Sequence, residues 1–407
     1  MKRRDFLAAS TAFLALLGQD ALAAPRKKST AKPRAAKKPA RPASAKKPSS
    51  PAARTAYTPV TDSPPDGSSA SRLPPVKAPE APTDWRSFEI TSTLALPRSA
   101  SVTRLWLPLP LNQDTLFQRT IGHRWQTNAA SASLMRLPEG DLEACVCEWP
   151  ANVEPRLELT TTVSTADRHF DITRRTMPPE REDILRRNLQ SSQLIPNDGP
   201  AHALAERIVG RIKDPVAQAK AIYDWVVDNT IYAPDAPAGG IGNIREQFER
   251  GFHGGRSADI NGLFVALCRA IGIPARCVYG LRIAGSRLFK SLGLSDDDAT
   301  RAQHCRAEFY IPGYSWIPVD PSDVRRAIAL EALSDRDSRL QALRRILFGV
   351  WEMNWMAYNL GADLTLPTSQ ARVPNFFLPR LENGEGLRDG RDPAAFMFSI
   401  RTRQTFI

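Results

Sequence analysis

Ser257, His304 and Asp320 are the three positions whose side chains could do chemistry together. A hydroxyl, an imidazole and a carboxylate make an acyl-transfer nucleophile when the imidazole can take the hydroxyl proton and the carboxylate orients the ring. Ser257 opens SADINGLFVALCRAIGIPAR, where Leu263, Phe264, Leu267, Cys268 and Ile271 fall on one helical face and Gly272 with Pro274 stops the helix. A nucleophile at a helix N-terminus faces free N–H groups and the positive dipole end, which stabilise a developing anion. Serine is also a favoured N-cap and needs no catalysis to explain it.

His304 begins QHCRAEFYIPGYSWIPVD, which alternates on both sides of Pro312-Gly313 and predicts a β-hairpin. His304, Arg306, Glu308 and Tyr310 share its polar face, while Cys305, Ala307 and Phe309 share the other. If the turn centres on Pro312 and Gly313, Asp320 falls opposite Cys305 or Arg306, beside His304. A three-residue loop puts His304 and Asp320 on one face as a diagonal pair; a two-residue loop points them apart unless a bulge at Pro318 corrects the phase.

The remaining candidates are weaker. Gly251 to Ser257 is one residue short of a phosphate loop and has Arg256 where lysine is required, so no nucleotide site is expected. Asp296, Asp297 and Asp298 lack the calcium-loop pattern and read as a solvated loop. No second Cys/His pair stands at metal spacing, so neither a metal nor a cofactor is expected. Cys145 and Cys147 sit two apart in a strand-like run, parallel and too far apart for an easy disulfide. Cys268, Cys277 and Cys305 read as small buried hydrophobes, not nucleophiles.

The elements that must position these residues fall into segments. Residues 85–170 alternate in short runs such as FEITSTLAL, EACVCEW and RLELTTTVS, which predicts a small all-β domain, a sandwich, as a support or binding module. A charged connector covers 171–199. Helical periodicity follows, with Leu204, Ile208 and Ile212 at i+4 spacing, then Asp214 as N-cap before Pro215 and a stripe through Ala219, Ile222, Trp225 and Val226. Trp225 is expected to pack in the core. The aromatics from Phe348 to Tyr358 fit either a strand or a helical stripe, and residues 371–407 are taken as a C-terminal extension.

The first 23 residues have a basic start, an apolar run from Phe6 to Leu17 and Ala21-Leu22-Ala23, the pattern of a secretory signal peptide too short to span a membrane. Arg3-Arg4-Asp5-Phe6-Leu7 resembles a twin-arginine signal. An exported, periplasmic location is expected. Of the formal charge of +12, residues 24–54 carry +11 and the first 23 carry +1, so the rest of the chain is balanced. The Lys/Pro/Ala-rich stretch 24–84 is expected to be a disordered linker. Its basic part, 24–54, suits an anionic envelope polymer or membrane surface. Nucleic acid is not expected, because no aromatics interleave the charges.

The blocks GGRSADINGLFVALCRAIGIPAR, QHCRAEFYIPGYSWIPVDPSD and AIYDWVVDNTIY resemble the transglutaminase-like superfamily, densely from about residue 200 to 325. The resemblance implies an α+β fold with a papain-like transglutaminase core over 200–370, preceded by the β domain. It also implies a triad of cysteine, histidine and aspartate, with the cysteine at a helix N-terminus, and it favours a strand near Trp355 that closes the core sheet. His304 and Asp320 match the last two members, whereas Ser257 stands at the cysteine position. A cysteine can rest as thiolate beside imidazolium; serine must lose its proton during attack. Two functions follow as expectations. One is acyl transfer or hydrolysis on peptide, protein or cell-wall peptide amides, with Ser257 attacking, His304 as base and helix N–H groups holding the oxyanion. The other is a catalytically silent binding or scaffold protein tethered to envelope polymers.

Overall fold

Alternation of period two builds the first part of the molecule. Phe88, Ile90 and Leu94 in one strand and Leu157, Leu159 and Val163 in another are buried, while Glu89, Thr93, Arg156 and Glu158 between them are not. The computed structural model describes residues 82–170, 177–391 and 396–406. The signal peptide and nearly all of the basic linker therefore lie outside the described residues. In chain order the strands begin with β1 (Trp85–Ala95), β2 (Thr103–Leu109), β3 (Gln118–Thr127), β4 (Ser131–Leu137), β5 (Leu142–Trp149), β6 (Arg156–Ala166) and β7 (Arg168–His169). Helices α1 (Glu182–Arg187), α2 (Gly199–Val209) and α3 (Pro215–Asn229) follow, then β8 (Ile231–Tyr232), α4 (Ile244–Arg250), β9 (Gly254–Gly255) and α5 (Ser257–Ala270). The chain continues with β10 (Ala275–Arg282), β11 (Gln303–Ile311), β12 (Ser315–Val319), α6 (Pro321–Leu330) and α7 (Ser338–Ile346). It ends with β13 (Val350–Trp351), β14 (Trp355–Asn359), β15 (Leu364–Thr365), β16 (Arg372–Val373), β17 (Arg380–Asn383), β18 (Gly386–Asp389) and β19 (Met397–Thr405).

Two antiparallel sheets, ordered β19-β1-β6-β3 and β18-β17-β2-β5-β4, form the sandwich. Leu94, Leu107, Trp149, Leu159 and Leu381 from both sheets make its core. Residues 371–407 are thus not an appendage, as the sequence suggested: β17 pairs with β2, and β19 pairs with β1 along nine residues. Their short, charged runs gave no hint of the partner strand. Cys145 and Cys147 lie side by side in β5 with sulfurs 3.9 Å apart, and all five cysteines are free and buried.

The α+β core is an antiparallel sheet ordered β12-β11-β10-β14, packed on α5. Cys305, Ala307 and Phe309 of β11 join Leu263, Phe264 and Leu267 of α5 in one apolar cluster. The helix is buried on every side, not on the one face its periodicity indicated, because α2, α3 and α6 cover the rest. The predicted cap of α3 forms, Asp214 accepting from Ala217 N at 2.8 Å. Ile212 falls outside α2, which stops at Gly210. Near Trp355 the strand prevails over the helical stripe: β14 pairs with β10 and closes the sheet. No helix among the described residues is long and apolar enough to cross a membrane.

The polar face of β11 is covered rather than solvated. Glu308, nearly inaccessible, accepts from Arg168 Nη1 of β7 and from Arg276 Nε of β10, each at 2.5 Å. Arg276 also stacks on Trp316, 3.8 Å from the ring centre. Burial alone would raise the Glu308 pKa, and the two guanidiniums outweigh it and hold the carboxyl below its usual range. Through Arg168, one carboxylate ties the end of the sandwich to the core sheet. Glu308→Ala leaves two arginines facing a buried hole. We expect it to lower unfolding free energy by about 3–5 kcal/mol, measured by urea denaturation; a loss below about 1 kcal/mol contradicts the account.

Candidate active site

The hairpin between β11 and β12 uses the three-residue alternative. Ile311 pairs with Ser315 and Ala307 with Val319, so β12 ends one residue before Asp320 and delivers its carboxylate beside His304. His304 Nε2 lies 2.7 Å from Asp320 Oδ2. Asp320 also caps α6, its Oδ1 accepting from Asp323 N at 3.1 Å and from the Ser322 hydroxyl at 2.7 Å. Asn261, one turn into α5, donates its amide to Asp320 Oδ1 at 3.0 Å and to Cys305 O at 2.8 Å, tying helix, strand and carboxylate together. Burial alone would raise the Asp320 pKa. His304, the Arg306 guanidinium 3.6 Å away and Asn261 outweigh it and keep the group below the usual carboxylate range.

Ser257 is at the predicted end of the predicted helix, but it is not the N-cap. It is the first helical residue, and the cap position belongs to Arg256. Asp259 satisfies the loop instead, its carboxylate accepting from the backbone N–H groups of Arg256, Ile241 and Gly242. The Ser257 hydroxyl donates to Gly239 O at 3.2 Å and accepts from Cys305 N at 3.0 Å. Gly239 O also accepts from Ala258 N at 2.9 Å, so the helix N–H that the sequence offered to an oxyanion already has a partner. Gly239 sits at φ +72°, and a Cβ there would stand 2.4 Å from the Phe377 ring, so only glycine brings this carbonyl in.

Arg282, absent from the sequence reading, completes the site. Fully buried at the end of β10, it directs Nη2 to Asp323 Oδ1 at 2.5 Å and to His304 Nδ1 at 3.0 Å, and Nη1 to Leu292 O and Asp323 Oδ2. The strand pairing explains its reach: Gly280 lies opposite His304, and Arg282 is two residues further on the same face. A guanidinium only donates, so Nδ1 must be the unprotonated nitrogen and Nε2–H donates to Asp320. Burial first, and the Arg282 charge second, lower the pKa of His304 below its ordinary value of 6.5. Ligating atoms of His304, Asp320 and Asp323 lie within 4.8 Å of one another, a spacing that a cation could use. Arg282 supplies that positive charge from the protein itself, and the donor set offers a metal no open position.

Ser257, His304, Arg282 and Asp323 line one cavity of about 560 Å³, with Tyr232, Arg256, Gln303 and Arg326 around them. The three positions read from the sequence are therefore brought to one place. The hydroxyl of Ser257, however, bonds to backbone on both sides, and the imidazole of His304 to side chains on both. Alternation along ARCVYGLRI placed Arg282 on the face of Gly280, and the i+3 spacing of Asp320 and Asp323 placed both in one turn. Both signals were present before the pairing register was known.

Residues 202–321 match the family model of the transglutaminase-like superfamily, a span that contains Ser257, His304 and Asp320. An uncharacterized protein of Haemophilus influenzae is 30% identical over 345 residues, covering 79% of this chain and 92% of the relative. A proposed cysteine protease from Cytophaga hutchinsonii superimposes with a TM-score of 0.45 at 17% identity, over 79% of this chain and 99% of that one. The periplasmic domain of TgpA from Pseudomonas aeruginosa, bound to ethylmercury, gives 0.30 at 17% identity, over 58% and 89%. With the helix-borne serine, the strand-borne histidine and the aspartate after the hairpin all inside the matched span, this chain belongs to the transglutaminase-like superfamily of papain-type folds.

Proposed function

We propose that this chain is a peptide-binding member of the superfamily whose acyl-transfer machinery is locked in a non-catalytic state, acting in the cell envelope after export. The observation that carries this reading is the hydrogen bond from Arg282 Nη2 to His304 Nδ1 at 3.0 Å. A general base needs one ring nitrogen free toward the nucleophile and the other held by its orienting carboxylate. Here the carboxylate side is in order, while the only lone pair of the ring is covered by a permanent cation. Protonating that ring would place an imidazolium against a guanidinium, so the ion pair a cysteine nucleophile could use is disfavoured as well.

Serine fits this environment as a structural residue. A hydroxyl makes two hydrogen bonds, one given to Gly239 O and one taken from Cys305 N. A thiol in the same place makes weaker ones. The cavity remains open beside the locked pair, with room for the end of a peptide. The basic stretch 24–54 would hold this domain near anionic polymer or membrane surface.

Acyl transfer on peptide, protein or cell-wall peptide amides is the second reading, favoured by the 2.7 Å bond between His304 and Asp320. It requires Arg282 to leave Asp323, Leu292 O and His304 together, and Ser257 to turn from both backbone partners.

Two measurements test the proposal. Incubation with a fluorophosphonate or an activated acyl ester, read by intact mass, is expected to leave Ser257 unmodified. Ser257→Cys combined with Arg282→Gln and Asp323→Asn is expected to gain thiol acylation that Ser257→Cys alone lacks. A covalent adduct on the parent that disappears in Ser257→Ala defeats the reading. The second measurement is pH dependence. His304 has its folded pKa below the unfolded value, so the unfolded state takes the proton more readily and stability falls as pH drops below about 6.5. Between pH 7.5 and 5 the unfolding free energy of His304→Gln should fall less steeply than that of the parent, by up to ~1.4 kcal/mol per pH unit. Equal slopes, or a parent that gains stability on acidification, would refute the neutral imidazole.

A further inference from the structure

We infer that the cavity beside Ser257 receives the free carboxylate of a peptide, gripped between the guanidinium groups of Arg256 and Arg326. This rests on the peptide-binding reading above and names the chemical group that is bound.

The grip is built around Tyr232. Arg256 lies 5.7 Å and Arg326 5.4 Å from the centre of its ring, and both donate to its hydroxyl oxygen, Arg256 at 3.2 Å. Arg256 is further fixed by Ala236 O and Pro234 O, and Arg326 by Ser291 O at 2.6 Å. Three separate elements, β8, the residue before α5, and α6, thus hold two cations at one wall of the cavity. Among the described residues neither guanidinium has a carboxylate within ion-pair distance, unlike Arg282, which is matched by Asp323. Each guanidinium carries five N–H donors, so Arg256 and Arg326 retain five between them with no acceptor among the described residues.

The electrostatics point the same way. Burial first, then the field of Arg282 and, more weakly, that of Arg256, lower the pKa of Arg326; Tyr232 and Asp323 oppose them, but the Asp323 carboxylate is already hydrogen-bonded to Arg282 and offsets the crowded positive charge only in part. Asp296 and Asp298 also line the cavity; Asp298 stands 3.7 Å from Arg401, and among the described residues neither is within ion-pair distance of Arg256 or Arg326.

Gln303 separates a peptide carboxylate from an inorganic anion. It lines the same cavity and is 5% exposed, its Nε2 donates to Thr300 O, and its Oε1 is buried without a hydrogen-bond partner. An acceptor in that condition calls for an N–H. A peptide end offers both a planar carboxylate for the arginine forks and an amide N–H on the next carbon, Cα. Inorganic phosphate near neutral pH offers P–OH donors but no amide N–H held at a fixed offset from a two-oxygen edge.

The test titrates the full chain calorimetrically with N-acetyl-Ala-Ala-Ala as the free acid, with its C-terminal amide, and with inorganic phosphate. Saturable binding of the acid is expected, with the amide at least about tenfold weaker and phosphate weaker still. Arg256→Gln and Arg326→Gln should each cost about tenfold for the acid and little for the amide, with Arg326→Lys in between because it keeps the charge and loses the fork. Unchanged thermal melts establish that the variants fold, and Tyr232→Phe, which loosens the grip without removing charge, serves as the further variant. Equal affinity for acid and amide overturns the inference, as does acid binding unaffected by the Arg256 and Arg326 changes, phosphate displacing the acid at lower concentration, or no saturable acid binding. A Ser257 adduct would end the non-catalytic reading and leave the acid preference standing; loss of the acid preference would leave Ser257 inert and end only this inference.

Discussion

A guanidinium taken out of water at the end of β10 has to be compensated at once, and most of the site follows from how Arg282 is compensated. An unpaired buried charge is costly enough that a fold cannot carry one idly. Asp323 on the first turn of α6 answers it with both oxygens, Leu292 O reaches it from the short 3₁₀ turn at Lys290–Leu292, and His304 gives it a lone pair. Those partners fix where α6 starts, how the excursion after β10 closes, and which tautomer the imidazole adopts. The state of the histidine is therefore a by-product of charge balance on the neighbouring strand and the helix after the hairpin.

The same logic of buried charge holds the two halves of the molecule together. Glu308 is the counter-charge for one arginine from the core sheet and one from the end of the sandwich, and Asp320 serves His304 and Arg306 together. Apolar contact alone slides easily; charge-assisted hydrogen bonds of fixed direction do not. The row His304, Arg306, Glu308 along one face of β11 is thus a set of anchors, with Trp351 and Trp355 laid over Arg306 to keep water out.

Period and punctuation made much of this legible in advance. The β domain, the helix after Gly255, the hairpin at Pro312-Gly313 and the positions of His304 and Asp320 follow from alternation, turn chemistry and family resemblance, because each is a local signal. What escaped was non-local. Arg282 is an ordinary strand residue until pairing brings it beside His304. Tyr232, Arg256 and Arg326 are scattered along nearly a hundred residues and meet only in the folded chain. Ser257 was misread at the level of one hydrogen bond, since nothing in SADIN says that Asp259 will cap the loop and leave the hydroxyl to Gly239 and Cys305. The strands after Pro379 were missed for a similar reason: short, charged segments read as strands only once the edge that they complete is known.

That edge has its own consequence. Ser87 of β1 pairs with Thr405 of β19, so the first described strand waits for some three hundred residues of synthesis before its outer neighbour exists. Contacts of such sequence separation close late and slowly. Until they do, β1 presents an open row of N–H and C=O groups to any extended chain nearby. Loss of the last dozen residues would strike the opposite end of the sequence hardest, leaving an intact core beside an unsealed, adhesive sheet.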